Sequence, residues 1–138
     1  MTNEETLKRI NSLNENTLME TLKIKYTEIG EDYLVATMPV NKKVHQPLGL
    51  LHGGASVALA ESVGSMASHF FIDTTKYEAR GIEITANHVK SKREGIVTAT
   101  AKIIHRGRNT HLWEIKIVDE EGKLISICKL TNIILSKK

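Results

Sequence analysis

One run of the chain, residues 50–72, reads LLHGGASVALAESVGSMASHFFI and holds a single acidic or basic residue, Glu61. From Gly53 to about Phe71 the residues are helix-compatible, small and apolar around most of the circumference. A helix apolar nearly all round is buried, so this segment predicts a central rod with the rest of the chain wrapped about it. About 18 residues at a rise of about 1.5 Å give a rod of roughly 27 Å. Glu61, His52, His69 and several Ser and Gly make the run a poor membrane span. A carboxylate there is expected to lose its water on folding, and an unpaired buried charge is expensive. A chain carries such a cost more readily when the group does chemistry.

Extended segments flank the rod. Residues 21–26 and 33–40 read as strands around the turn signal Ile29-Gly30-Glu31-Asp32, and residues 41–49 read as a loop broken by Pro47 and Gly49. Four more extended segments follow, over residues 77–89, 95–105, 112–118 and 124–135, the last two joined at Asp119-Glu120-Glu121-Gly122. Residues 3–12 predict a short amphipathic helix with Leu7 and Ile10 on one side. One long helix with about six strands gives an α+β class, an antiparallel sheet curled around the helix. The open edges of such a sheet need cover or a partner, which predicts an oligomer. A length of 138 residues suits one domain over the whole chain, residues 1–138. The lone Cys128 cannot form an intrachain disulfide and reads as a core thiol. With a polar first 20 residues and no signal-peptide core, this points to a cytoplasmic protein not held in a membrane.

Positive charge is concentrated. Between residues 87 and 110 stand Lys90, Lys92, Arg93, Lys102, Arg106 and Arg108 against Glu94 alone, a local excess of five in a chain whose net charge is +3. Such a cluster suits a phosphate-bearing partner. Trp113 is the only aromatic near it and no zinc or RNA-binding signature is present, which argues against nucleic acid. The chain has no Gly-rich nucleotide loop, no serine nucleophile elbow and no metal-ligand spacing, so neither a metal nor a cofactor is expected. His45, His69, His105 and His111 read most simply as surface or strand residues.

The chemistry converges on the start of the rod. Gly53 and Gly54 fall at its N-terminus, where backbone N–H groups are free and the helix dipole favours negative charge. Such an end can polarise a carbonyl, and a glycine lets a ligand come close. Glu61 lies eight residues on, roughly 12 Å along a straight helix. A base or nucleophile and an oxyanion donor must each lie within about 3 Å of their targets. Gly53 and Glu61 of one chain therefore cannot serve the same carbonyl. If both act, the site is shared by two copies across a two-fold axis. Ser65, one turn beyond Glu61, shares its face.

The run HQPLGLLHGGASVALAESVGSMAS resembles the signature of the hotdog-fold acyl-CoA thioesterases. It is most similar to the branch that includes the phenylacetate-pathway thioesterases, 1,4-dihydroxy-2-naphthoyl-CoA hydrolase and the proofreading thioesterase of enterobactin synthesis. GIEITANHVKS and IHRGRNTHLWEIKIVDEEGKLISICKL extend the likeness over about residues 22–135. The resemblance implies a hotdog fold, a homodimer with shared sites and a homotetramer of two such dimers. It implies Glu61 as nucleophile or general base and the Gly53 amide on the thioester carbonyl. Gln46, His52 and Ser65 are implied in support, and His88 against the acyl group. Coenzyme A is then part of the substrate, with contacts implied at Gly81, His88, Val89, Lys90, Ser91, Arg106, Gly107, Arg108 and Asn109. Where relatives often carry His-Arg-Pro after the strand histidine, this chain has Val89-Lys90-Ser91. The implied reaction is hydrolysis of an aromatic or medium-chain acyl-CoA, with an acyl carrier protein as another possible carrier. An enoyl-CoA hydratase or dehydratase and a non-catalytic acyl-CoA binder are the alternatives.

Overall fold

The computed structural model describes residues 1–138. Helix α1 (Asn3–Ser12) is capped by Thr2, whose side chain accepts from the Glu5 N–H. It buries Ile10 and lays Leu7 against the core. The expected strand at residues 21–26 is displaced. A single helical turn, α2 (Leu18–Thr21), occupies its start, and β1 spans Lys25–Ile29. Lys23, at φ 57, breaks the chain between them and delays the strand. Strand β2 (Tyr33–Val40) then alternates strictly between buried and half-buried positions. The expected loop at 41–49 holds one 3-10 turn, Lys42–Val44.

The rod is α3 (Gly53–Ser68), followed by a 3-10 turn over His69–Phe71 that tightens the end of the predicted helix. Strands β3 (Tyr77–His88), β4 (Gly95–Arg106), β5 (Thr110–Val118) and β6 (Leu124–Ser136) follow. All six strands form one antiparallel sheet in the order β1-β2-β4-β5-β6-β3. The sheet wraps α3, as predicted. Leu59, Ala60, Val63 and Ala67 enter the core with Leu34, Met38, Val97, Ile115, Ile117 and Leu130. Gly64 permits the closest approach, since a methyl there would lie 2.6 Å from a Leu130 methyl. Cys128 is a buried core thiol, its pKa pushed up to about 11 by burial. No helix is long and apolar enough to cross a membrane.

Only one face of α3 is fully buried within the chain. Ala55, Val57, Ala58, Glu61, Ser62, Ser65 and Met66 are half-buried on the other. The predicted burial of Glu61 is thus incomplete in a single copy.

A polar knot locks the C-terminal turn of α3 to the sheet. Trp113 Nε1 and Asn132 Nδ2 donate to the buried Ser68 Oγ at 2.8 and 2.7 Å, and Asn132 Nδ2 also donates to the Gly64 carbonyl. His111 Nδ1 lies 2.8 Å from the same hydroxyl, which has that ring nitrogen as its acceptor. His111, expected at the surface or on a strand face, is in the strand but buried. Burial, then the nearby Arg106 and His105, lower its pKa. The unfolded chain therefore takes up this proton first as pH falls, so the contribution is full above about pH 6.5 and is lost as pH drops toward the lower folded-state pKa. In urea unfolding, stability is expected to fall more steeply as pH drops below about 6.5 for the wild type than for His111→Gln. Equal slopes would remove His111 as a cause.

Candidate active site

The N-terminus of α3 is prepared by the loop before it. His52 is the N-cap, and its Nδ1 accepts the Gly54 N–H at 2.7 Å. Ala55 and Ser56 donate to the His52 carbonyl. Of the first four helical amides, which have no partner within the helix itself, only that of Gly53 makes no hydrogen bond. His52 thus acts on the helix end by removing its neighbour from competition.

A cleft of about 370 Å³ opens over that amide. Gln46, Gly53, His88, Val89, Lys90 and Ser91 line it together with Leu50, Leu51, Ser56, Ile125 and Ser126. Gln46 Oε1 is occupied by the Leu48 N–H, which leaves the side-chain NH₂ as the free end of the amide. The His88 ring packs directly on Gly53, where a methyl would lie 2.7 Å from Nε2. Ser126, which the motif reading did not single out, bonds His88 Nδ1 at 2.7 Å. Its signal was present in sequence: a serine inside the apolar run Leu124-Ile125-Ser126-Ile127.

Glu61 opens on a separate cleft of about 280 Å³ with Met19, Tyr26, Ser62, Ser65, Met66 and His69. The two clefts have no lining residue in common. The Glu61 carboxylate has no hydrogen bond within the chain. Gly81 leaves room for it, since a methyl there would lie 2.6 Å from Glu61 Oε2. Gly81, expected with the coenzyme contacts, sits beside Glu61. His69, expected to be a plain surface or strand residue, lines this cleft. Its Nδ1 donates to the Ser65 carbonyl at 2.9 Å, and its Nε2 accepts the Ala79 N–H at 3.4 Å.

The basic cluster is partly spent inside the chain. Lys90 pairs with Asp119 at 3.0 Å and Lys92 pairs with Glu120. These partners, helped by backbone N–H groups, hold both carboxyls down at about 2. Arg106 donates to the Phe71 carbonyl and lies 4.4 Å above the Phe71 ring. Arg93, Lys102 and Arg108 make no ion pair. Arg106, Gly107, Arg108 and Asn109 belong to the β4–β5 hairpin and line neither cleft. No group of three or more His, Cys, Asp or Glu side chains gathers as a metal site.

An isolated amide donor at a helix start and a free carboxylate two turns away are two parts that acyl transfer uses. The sequence profile of the thioesterase superfamily matches residues 48–126, which include both. The chain belongs to the thioesterase superfamily. It is 45% identical over 130 residues to 1,4-dihydroxy-2-naphthoyl-CoA hydrolase of Escherichia coli (strain K12), covering 94% of this chain and 95% of that protein. It is 42% identical to proofreading thioesterase EntH of Cronobacter turicensis, covering 94% of each. A crystal structure of a glutamine-to-alanine mutant of thioesterase PA1618 from Pseudomonas aeruginosa superposes with a TM-score of 0.93 at 44% identity, over 95% of this chain and 94% of that one. The expected hotdog architecture and its thioesterase branch are therefore correct, and the class of chemistry is thioester hydrolysis.

Proposed function

We propose that the protein hydrolyses aromatic or medium-chain acyl-CoA thioesters to the free acid and coenzyme A, at sites shared between two subunits. The observation that carries this reading is the division of the parts. The free Gly53 amide and the Glu61 carboxylate open on different clefts, roughly 12 Å apart along one helix. One copy holds both halves of a site and completes neither.

The sheet edges support a way to join them. At β1, Asn11 of α1 bonds both the N–H and the carbonyl of Tyr26, so this edge is already covered. At the other edge β3 offers twelve residues with no second strand beside them, and its Ile82 is 58% exposed. Antiparallel pairing of two β3 edges about a two-fold axis sets the α3 helices side by side and reversed. Glu61 of one subunit then faces the Gly53 end of the other, and the half-buried face of α3 is covered. Pairing of two such dimers gives the tetramer.

In the reaction, the Gly53 N–H and the Gln46 amide hold the carbonyl oxygen as it gains charge. Glu61 either attacks the carbonyl carbon, giving a mixed anhydride that water then hydrolyses to the free acid, or takes a proton from the water that attacks. The C–S bond breaks and coenzyme A leaves as a thiolate. Ser65 holds the attacking water or the carboxylate. Lys90 and Ser91 at the cleft mouth, with Arg93 nearby, meet the coenzyme's phosphates. No cofactor beyond the coenzyme A of the substrate takes part, and the protein works in the cytoplasm. The relative that hydrolyses a naphthoyl-CoA supports an aromatic acyl group. A thiol-release assay over a panel of acyl-CoA and acyl-carrier thioesters tests the reading. Release from aromatic acyl-CoA substrates is expected, while hydration of an enoyl-CoA without thiol release would overturn it.

A further inference from the structure

The inference rests on the hydrolytic reading above and assigns a task to a residue that reading leaves unused. His88 ends β3 and pairs in register with Ser126 of β6. Ser126 is fully buried, and the contact with His88 Nδ1 is the only hydrogen bond its hydroxyl makes. A buried hydroxyl proton without an acceptor is costly, so the proton belongs on the line to Nδ1. A neutral imidazole that accepts at Nδ1 carries its own proton on Nε2.

Nε2 is the ring atom beside Gly53. A methyl on Gly53 would lie 2.7 Å from it, and an ideal Cβ is about 2.5 Å from its own backbone nitrogen. Together these cap the separation of His88 Nε2 and Gly53 N at about 5 Å. Two donors that close can each reach one oxygen at about 2.9 Å. The opposite tautomer would aim a lone pair at the oxygen as it gains negative charge.

We infer that Ser126 is a positioning residue that fixes His88 as the Nε2–H tautomer, so that His88 joins the Gly53 and Gln46 amides as a donor to the thioester oxygen. Val89 and Lys90 reinforce the placement, because both backbone N–H groups donate to the Ile125 carbonyl next to Ser126.

Histidine ring ¹⁵N NMR on the whole chain tests this at about pH 8, where an ordinary imidazole is neutral. His88→Gln identifies the signal. The wild-type ring is expected to carry its proton on Nε2, and Ser126→Ala is expected to give a mixture of tautomers. In thiol release, Ser126→Ala should lower kcat about tenfold with KM nearly unchanged, and Ser126→Thr should restore most of it. Added to His88→Gln, Ser126→Ala should cost nothing more. A wild-type ring protonated on Nδ1, or an equal cost of Ser126→Ala with and without His88, would overturn the inference. A wild-type chain that released no thiol from any acyl-CoA would instead refute the hydrolytic reading, and the NMR result would still decide the tautomer.

Discussion

Replacing Glu61 by Ala is expected to lower kcat/KM for thioester hydrolysis about 10³-fold while leaving the thermal midpoint unchanged or slightly raised. That loss corresponds to about 4 kcal/mol of barrier. The stability half of the expectation follows from the surroundings of the carboxylate. It is half-buried, accepts no hydrogen bond within the chain and opens on a cleft. Truncation therefore orphans no partner. Alanine is also the better helix former in mid-α3. Thiol release and a melting curve on the same preparation check both halves. Turnover near wild type would remove Glu61 from the chemistry, and a large drop in melting temperature would make it a structural residue.

Gly53→Ala is expected to cost about 10²-fold in kcat, with a modest loss of fold stability from the Ser126 hydroxyl it orphans. Glycine is the weaker helix former, so the fold has no general need of it at the first helical position. The need is local. The added methyl would lie 2.7 Å from His88 Nε2 and 2.8 Å from Cδ2, closer than real side-chain contacts allow. The ring must leave its place, its bond to Ser126 is lost, and the cleft is the open space beside it. Both the donor and the approach to the Gly53 amide are disturbed. A steady-state comparison of Gly53→Ala with wild type reads this as a fall in kcat. Unchanged kinetics would show that the substrate does not approach that amide.

Much of this was legible in the chain. The apolar, small-residue run with one charge located the buried helix, and the alternation after it located four strands to within a residue or two. Distance along the helix was enough to separate Gly53 from Glu61, because helical rise is fixed by backbone geometry. Other features were hidden for physical reasons. Residues 21–26 alternate like a strand, but a left-handed Lys23 interrupts them and Leu18–Thr21 closes a helical turn. His111 looked exposed because its partners, the Ser68 hydroxyl and the Phe71 ring, come from a distant segment of the chain. Lys90 and Lys92 looked free because Asp119 and Glu120 come from the β5–β6 turn, 29 and 28 residues further along the chain. The link from Ser126 to His88 depends on the β3–β6 register, which no local pattern sets. Apart from the local turn at Lys23, the missing information was in each case a contact between residues far apart in the chain.

Subunit mixing tests the shared site most directly. Glu61→Ala and Gly53→Ala, each nearly inactive alone, are unfolded together in equal amounts and refolded. A mixed dimer has one site built from the intact Gly53 of one chain and the intact Glu61 of the other, and one site with both defects. Random pairing makes half the dimers mixed. Thiol release should therefore recover to about a quarter of the wild-type rate per chain, well above either parent. No recovery, from a mixture shown to contain mixed dimers, would mean that each chain completes its own site.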